Sequence, residues 1–299
     1  MIKKFIENNN LGTIYENKRF KDLTTLKIGG NIKFYYLPNS MDSFSKFYSY
    51  ASSKLPIFII GSGSNVLASD EDYSGVVVSF KNIPIKFARV GDVATIYAGC
   101  KLTEFIYRIA EVGLGGLEDL CGIPGTIGGM VAMNAGSFGT TISDVLISAE
   151  CLDHDGKLAT YSNKELLFGY RSSLIRMKDL IVISAKIKLI PKEQQEILEI
   201  IETNLEKRRK NQPLNTMNAG CAFKNNISHS AWSLIDGVNL RGYAIGDAQV
   251  SEKHCNFLIN KSNAKAEDMF SLIKKIKKEV KDKYDIDLIY EWVLINFCE

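Results

Sequence analysis

Pro56 to Asp70 reads PIFIIGSGSNVLASD: an apolar run of strand length, a Gly-Ser-Gly-Ser-Asn bend, and a second apolar stretch. Glycine lacks the Cβ that would hold an anion away from the backbone, so a strand emptying into such a bend can wrap its N–H groups around a phosphate. The bend is not a P-loop, because no Gly-Lys-Ser/Thr follows. It is also a poor match to the common dinucleotide fingerprint: Gly61 and Gly63 fit G-x-G, but Val66 stands at the third glycine position. Taken by itself it is as compatible with a tight turn as with a phosphate loop.

A second cluster, GLEDLCGIPGTIGGMVAMNAGSFG (116–139), shifts the balance. With Gly113 and Gly115 it places nine of the chain's 23 glycines within residues 113–139. Gly122, Gly125, Gly128 and Gly129, with Pro124, oppose an ordinary apolar helix, since each glycine costs up to about 1 kcal/mol there. The segment is therefore expected to be a loop passing close to a flat or charged ligand. Two such approaches in one domain suit a large dinucleotide such as FAD better than a mononucleotide.

The rest of the composition bounds the answer. A chain of 299 residues with 45% hydrophobic content has room for one large core or two to three smaller ones. Charged residues make up 24% and the net charge is +3, so composition offers no nucleic-acid or membrane-surface partner. MIKKFIENNN lacks the apolar core of a signal peptide and no run approaches the roughly 18 apolar residues of a membrane span, so a cytoplasmic protein is expected; a monomer is expected as well. The six cysteines (100, 121, 151, 221, 255, 298) show neither CxxC pairs nor a histidine ladder and read as thiols, most of them buried, with no metal site.

Short Ile/Val/Phe/Tyr-rich runs at 33–37, 57–60, 76–80, 94–98 and 146–152 read as strands. Helices are expected at 41–52, with Ser40 as cap and Met41, Phe44, Phe47 and Tyr48 on one face, and at 103–112, with Phe105, Ile106, Ile109 and Ala110 together. Asp155-Gly156 marks a tight hairpin. Alternation of Ile181, Ile183, Ala185, Ile187 and Leu189 with lysines predicts a half-buried strand closed by Pro191. A periodic helix follows, and the main boundary is placed there. Beyond a polar loop (211–220) come a helix at 232–236, strands at 247–250 and 256–259, and a helix over 264–284 that buries Met269, Leu272, Ile273, Ile276 and Val280 and turns Lys274, Lys275, Lys277 and Lys278 to water.

The motifs TTLKIGG (24–30), GSGSNVL (61–67), GIPGTIGGMVAMNAGSFG (122–139), YRSS (170–173), GCAFKN (220–225) and GDAQVSEKHCNFLIN (246–260) occur in the order found in the UDP-N-acetylenolpyruvoylglucosamine reductase family, which the chain resembles over nearly its whole length. The resemblance implies an α+β chain. It comprises a two-subdomain FAD-binding fold of the vanillyl-alcohol-oxidase (PCMH) type, over 1–80 and 81–190, and a C-terminal α+β substrate-binding domain over 191–299 whose last residues return to the FAD domain. It further implies reduction of UDP-N-acetylglucosamine enolpyruvate to UDP-N-acetylmuramate with NADPH as donor, in peptidoglycan precursor synthesis, and so a part in cell-wall biogenesis, cell shape, division and the cell cycle. The chain looks like the shorter form of the family, without the inserted tyrosine loop.

By the same resemblance, Gly61, Ser62, Gly63, Ser64 and Asn65 form the pyrophosphate loop. Gly122, Ile123, Pro124, Gly125, Gly128, Gly129, Asn134, Ala135 and Gly136 belong to the second flavin loop. Related flavoproteins tether FAD through histidine, but His154, His229 and His254 lie outside both loops, so FAD is expected to be held non-covalently. Arg171, with Tyr170, matches the arginine on the substrate's carboxylate, and Glu291 the glutamate of the same polarising set, although Val293 stands where a basic residue is usual. Cys221 occupies the place of the serine proton donor. A free thiol, with pKa about 8.5, is largely protonated at neutral pH and a stronger acid than a hydroxyl. Lys224 and Asn225 match positions near the diphosphate. Arg208 and Arg209 are either further phosphate partners or a solvated helix end. Asn226 replaces a proline and loosens the expected turn, and His254 is read as structural. Two competing readings are a sugar or alcohol oxidase of the same fold and a non-catalytic nucleotide-binding relative; Arg171 and Glu291 argue against the latter.

Overall fold

Helix Met41–Ala51 begins where Ser40 Oγ accepts the Ser43 N–H at 3.0 Å, and its three- and four-residue spacing buries Phe44, Phe47, Tyr48 and Ala51. It belongs to a computed structural model that describes residues 1–84 and 86–297; Cys298, read above as a thiol, lies outside the described residues. Compactness divides the chain into two units interleaved along the sequence: Met1–Glu16, Phe34–Gly61 and Ser74–Lys207 in one, Asn17–Lys33, Ser62–Tyr73 and Arg208–Glu299 in the other.

The first unit contains an antiparallel sheet in the order Leu158–Ser162, Leu146–Leu152, Ile181–Lys188, Val93–Tyr97, Phe87–Val90. The Asp155-Gly156 hairpin forms as expected, with Gly156 at φ +79° and its N–H on the Asp153 carbonyl at 3.0 Å. Strand Ile181–Lys188 departs from half-burial: Ile183, Ala185 and Ile187 are buried, but so are Val182 and Ser184. The cause is a helix the sequence reading missed. Residues 127–132 are not a loop but the helix Ile127–Ala132, and it packs on that strand. A Cβ on Gly128 would lie 2.9 Å from the Ala98 Cβ and 3.3 Å from its carbonyl oxygen, so contact with the neighbouring backbone outweighs the low helix propensity of glycine. Helix Leu102–Ala110 buries Phe105, Ile106, Ile109 and Ala110, and helix Gln194–Asn211 starts just beyond Pro191.

In the second unit an antiparallel sheet in the order Met217–Cys221, Phe257–Asn260, Ala248–Val250, Ala244–Ile245 shares a core with helices Ala231–Gly237 and Ala266–Tyr284. Met269, Leu272, Ile273, Ile276 and Val280 are buried as expected. Only half of the lysine face is solvated. Lys274 and Lys278 are exposed, whereas half-buried Lys275 pairs with Glu279 at 3.0 Å and half-buried Lys277 lies 4.3 Å from the Tyr290 ring centroid. Val293–Ile295 pairs in parallel with Val66–Ala68, fastening the strand after the GSGSN bend to the chain's end. Cys100, Cys121, Cys151 and Cys255 are buried and Cys221 is half-buried.

Candidate functional site

The two glycine bends meet at one side chain. A Cβ on Gly61 would lie 2.6 Å from Thr126 Oγ1, and the same hydroxyl is the nearest protein atom to a Cβ on Gly129, at 3.9 Å. A Cβ on Gly61 would press on the Thr126 hydroxyl of the second segment, whereas at Gly129 that hydroxyl lies clear. Gly63 is fixed by its own surroundings: it sits at φ +63°, and a Cβ there would collide with the Leu23 carbonyl oxygen. Ser62, Ser64 and Asn65 are half-buried beside it. In the second segment Gly122 takes φ +83°, Gly125 faces the Met130 sulfur and Pro124 is exposed, with Ile123 half-buried. The amides of Ile127, Gly128 and Met130 are held by the carbonyls of Cys100, Ala98 and Thr126 at 2.9 to 3.0 Å. Bare backbone at Gly61 and Gly129 around the Thr126 hydroxyl fits a flat, polar ligand such as FAD.

Arg171 is in the same unit as Gly61 and residues 122–136. It takes a left-handed φ of +51°, costing an L-residue on the order of 1 kcal/mol, and donates from Nη2 to the Gly136 carbonyl at 2.8 Å. Its guanidinium lies 5.2 Å from the exposed Tyr170 ring. Asn134 and Ala135 are buried, and the Asn134 amide is engaged inside the protein.

Cys221, Glu291 and Asn65 come together in the second unit. The Glu291 N–H donates to the Ala222 carbonyl at 2.9 Å, next to Cys221 in the chain, and the Glu291 carbonyl accepts from Asn65 Nδ2 at 3.0 Å. Val293 N donates to the Asn65 carbonyl and Lys224 N to that of Ile289, at 2.9 and 2.8 Å, so the glutamate segment is laced on both sides. This use of the Asn65 side chain had no signal in the sequence beyond its place in GSGSN. Lys224 is half-buried and Asn225 exposed, the latter capping helix Ala231–Gly237 through Oδ1 on the Ala231 N–H at 2.9 Å. Asn226 does not loosen its turn: Oδ1 accepts from the amides of Ser228 and His229 at 3.0 and 2.5 Å, an Asx-type turn in place of the proline. Arg208 is buried and Arg209 exposed, so the helix end is only partly solvated. His254 stacks edge-on to Phe257 at 5.0 Å with its Nδ1 buried and unpartnered, and burial pushes its pKa down.

These features define a flavin-binding α+β protein of the vanillyl-alcohol-oxidase (PCMH) type with an added C-terminal domain. An FAD binding domain model matches residues 32–162, and the model for the C-terminal domain of UDP-N-acetylenolpyruvoylglucosamine reductase matches residues 212–295. The reductase of Agathobacter rectalis is 38% identical over 296 residues, covering 95% of this chain and 94% of the relative; that of Caldanaerobacter subterraneus is 37% identical over 99% and 98%. A crystal structure of the reductase from Thermus caldophilus superposes with a TM-score of 0.81 at 32% identity, covering 95% of this chain and all of that one. Berberine bridge enzyme from Eschscholzia californica shares the fold over 65% of this chain, with a TM-score of 0.50 at 17% identity and 44% of its own length covered. The chain belongs to the UDP-N-acetylenolpyruvoylglucosamine reductase family, and it is an FAD-dependent oxidoreductase. Among the described residues no helix is long and apolar enough to cross a membrane.

Proposed function

We propose that this reductase takes electrons from NADPH and converts UDP-N-acetylglucosamine enolpyruvate to UDP-N-acetylmuramate in the cytoplasm, as a step toward peptidoglycan, with Cys221 as proton donor and FAD held non-covalently. The observation that carries the reading is the hydrogen bond from the Glu291 N–H to the Ala222 carbonyl, which sets a carboxylate-bearing segment beside the cysteine strand. Gly61 and Gly129 would hold FAD, which when bound would supply the hydride for the substrate's vinyl carbon. Addition there drives negative charge onto the adjoining carboxylate. The Arg171 guanidinium, oriented by the Gly136 carbonyl, pairs with that carboxylate, and Glu291 belongs to the same polarising set. Cys221 Sγ–H then delivers a proton to the neighbouring carbon, completing addition across the double bond. Tyr170, Lys224 and Asn225 take the sugar nucleotide. Cys221 is half-buried, which leaves its thiol within reach of a ligand. In this reading residues 1–80 and 81–190 are the two FAD subdomains and 191–299 the substrate domain.

The test is optical. The purified protein is expected to carry a yellow flavin that washes out after denaturation, bleaches with NADPH and regains colour on adding the enolpyruvyl nucleotide. A flavin reoxidised only by oxygen, with peroxide formed, would replace this reading with an oxidase.

A further inference from the structure

The turn Gly169–Ser173 is fastened to residues 132–136 of the second flavin segment at four points. Asn134 Nδ2 donates to the Gly169 carbonyl at 3.0 Å, Arg171 Nη2 to that of Gly136 at 2.8 Å and Nη1 to that of Asn134 at 3.5 Å, and Ser173 Oγ to that of Ala132 at 2.7 Å. Ser173 is fully buried and Asn134 is only 6% exposed. The Asn134 side chain is used at both ends, because Oδ1 also accepts the Ser143 N–H at 3.1 Å. Asn134 itself takes φ +42°, a left-handed conformation that asparagine tolerates better than most residues. A Cβ on Gly136 would meet Thr141 Cγ2 at 2.7 Å and the Thr140 carbonyl at 3.1 Å before Arg171 Nη1 at 3.3 Å, so glycine at 136 answers first to its pairing with Thr141. The 2.8 Å bond to the Gly136 carbonyl, with the longer 3.5 Å contact to that of Asn134, restrains the fork that bidentate pairing with a carboxylate uses.

From this geometry we infer that Asn134 is a positioning residue for Arg171 rather than a side-chain ligand of the cofactor, with Ser173 as the second anchor of the same turn. The inference rests on the reading that Arg171 binds the substrate's carboxylate. Asn134 acts by holding the Gly169 carbonyl and presenting its own, so that the guanidinium is oriented before the substrate arrives and no binding energy goes into ordering it.

Asn134→Gly keeps the left-handed backbone and removes the amide. In the FAD-loaded variant the reoxidation of reduced protein by the enolpyruvyl nucleotide is expected to slow about tenfold or more, while reduction by NADPH and FAD content stay within about twofold. Independently of activity, amide hydrogen exchange at Gly169 and Ser172, which bond to each other's carbonyls, should speed up by about tenfold or more as the turn loosens. Asn134→Asp, which keeps the acceptor for Ser143 but sets a carboxylate oxygen against the Gly169 carbonyl, should shift both readouts the same way. Should either variant fail to fold, Ser173→Ala tests the other anchor with the same pair of measurements. Loss of FAD affinity with unchanged exchange at 169–172 would make Asn134 a cofactor ligand and overturn the inference. Arg171→Ala separates the two levels: if it leaves reoxidation unchanged, the role of Arg171 is wrong and the inference goes with it. If Arg171→Ala slows reoxidation while both Asn134 variants behave like the parent, that role stands and the inference alone fails.

Discussion

At residue 221 the proposed proton transfer turns on a single atom, a cysteine sulfur. A hydroxyl gives up a proton reluctantly and depends on neighbours to do so, whereas a thiol ionises within reach of neutral pH. A thiol acting as donor has to be protonated when the intermediate forms, and Cys221 ends strand Met217–Cys221 half-buried. Cys221→Ala should lower reoxidation of the reduced flavin by substrate by about 10² or more, the size of a missing general acid, and leave NADPH reduction intact. Cys221→Ser should keep substantial activity, since the hydroxyl restores a donor at the same position. Equal loss of both half-reactions in the alanine variant would assign Cys221 a structural role. Stopped-flow absorbance at the flavin band separates the two half-reactions directly.

Among the elements, helix Ile127–Ala132 is the one whose glycines divide most cleanly between packing and ligand. Gly128 abuts the Ala98 side chain and carbonyl at 2.9 and 3.3 Å, so Gly128→Ala overpacks the interior and should destabilise the FAD-free protein by about 1–3 kcal/mol. Gly129 has only the Thr126 hydroxyl near its Cβ position, at 3.9 Å, so Gly129→Ala meets no obstacle and gains helix propensity worth up to about 1 kcal/mol. Yet the new methyl would stand where the flavin is proposed to lie. Gly129→Ala is therefore expected to raise the melting temperature of the FAD-free protein while weakening FAD binding about tenfold or more, a loss of about 1.4 kcal/mol. Thermal denaturation and FAD titration read the two effects separately; unchanged FAD affinity would remove Gly129 from the site.

This helix also marks where the sequence stopped being legible. Helix Met41–Ala51 and the 155–156 hairpin announce themselves through a cap, a spacing and a turn pair, all local signals. Helix Ile127–Ala132 has low local propensity and exists because of what lies against it at Ala98, which no nearby residue encodes. The pairing of Val66–Ala68 with Val293–Ile295 joins segments more than two hundred residues apart, and neither carries a mark of the other. The motifs named Arg171, Cys221 and Glu291 as a set, but not the lacing of Asn65 to Glu291 or of Asn134 to Gly169, because a side-chain amide bonded to a backbone carbonyl leaves no pattern in spacing.

Over the molecule as a whole, proton uptake on unfolding should shape stability in two stages. Glu118 in the first unit is pushed up by burial, but hydrogen bonds from Lys192 at 2.5 Å and from the Gly116 amide at 2.6 Å outweigh that and lower its pKa; Arg241, hydrogen-bonded to Asp236 at 2.8 Å, lowers that carboxyl in the second unit. With native pKa values below the unfolded 4.5 and 3.8, both contribute stability that is present above those values and lost as pH falls through the native ones. His254 acts higher up. Burial depresses its pKa below 6.5, so beneath that pH the unfolded chain binds a proton that the native imidazole does not, and stability falls as pH drops toward the native value. The slope from one such group is no steeper than about 1.4 kcal/mol per pH unit. Both tryptophans, Trp232 and Trp292, lie in the second unit with His254, so their fluorescence follows urea unfolding of the part it governs. The parent protein is expected to lose stability gradually as pH falls below 6.5, then steeply below about 4.5, the ordinary carboxylate range. His254→Phe, set between Trp232 and Phe257, should flatten the first stage and leave the second, making the variant comparatively more stable at pH 5.5 than at 7.5. An identical slope in parent and variant over that interval would show that some other group takes up the proton.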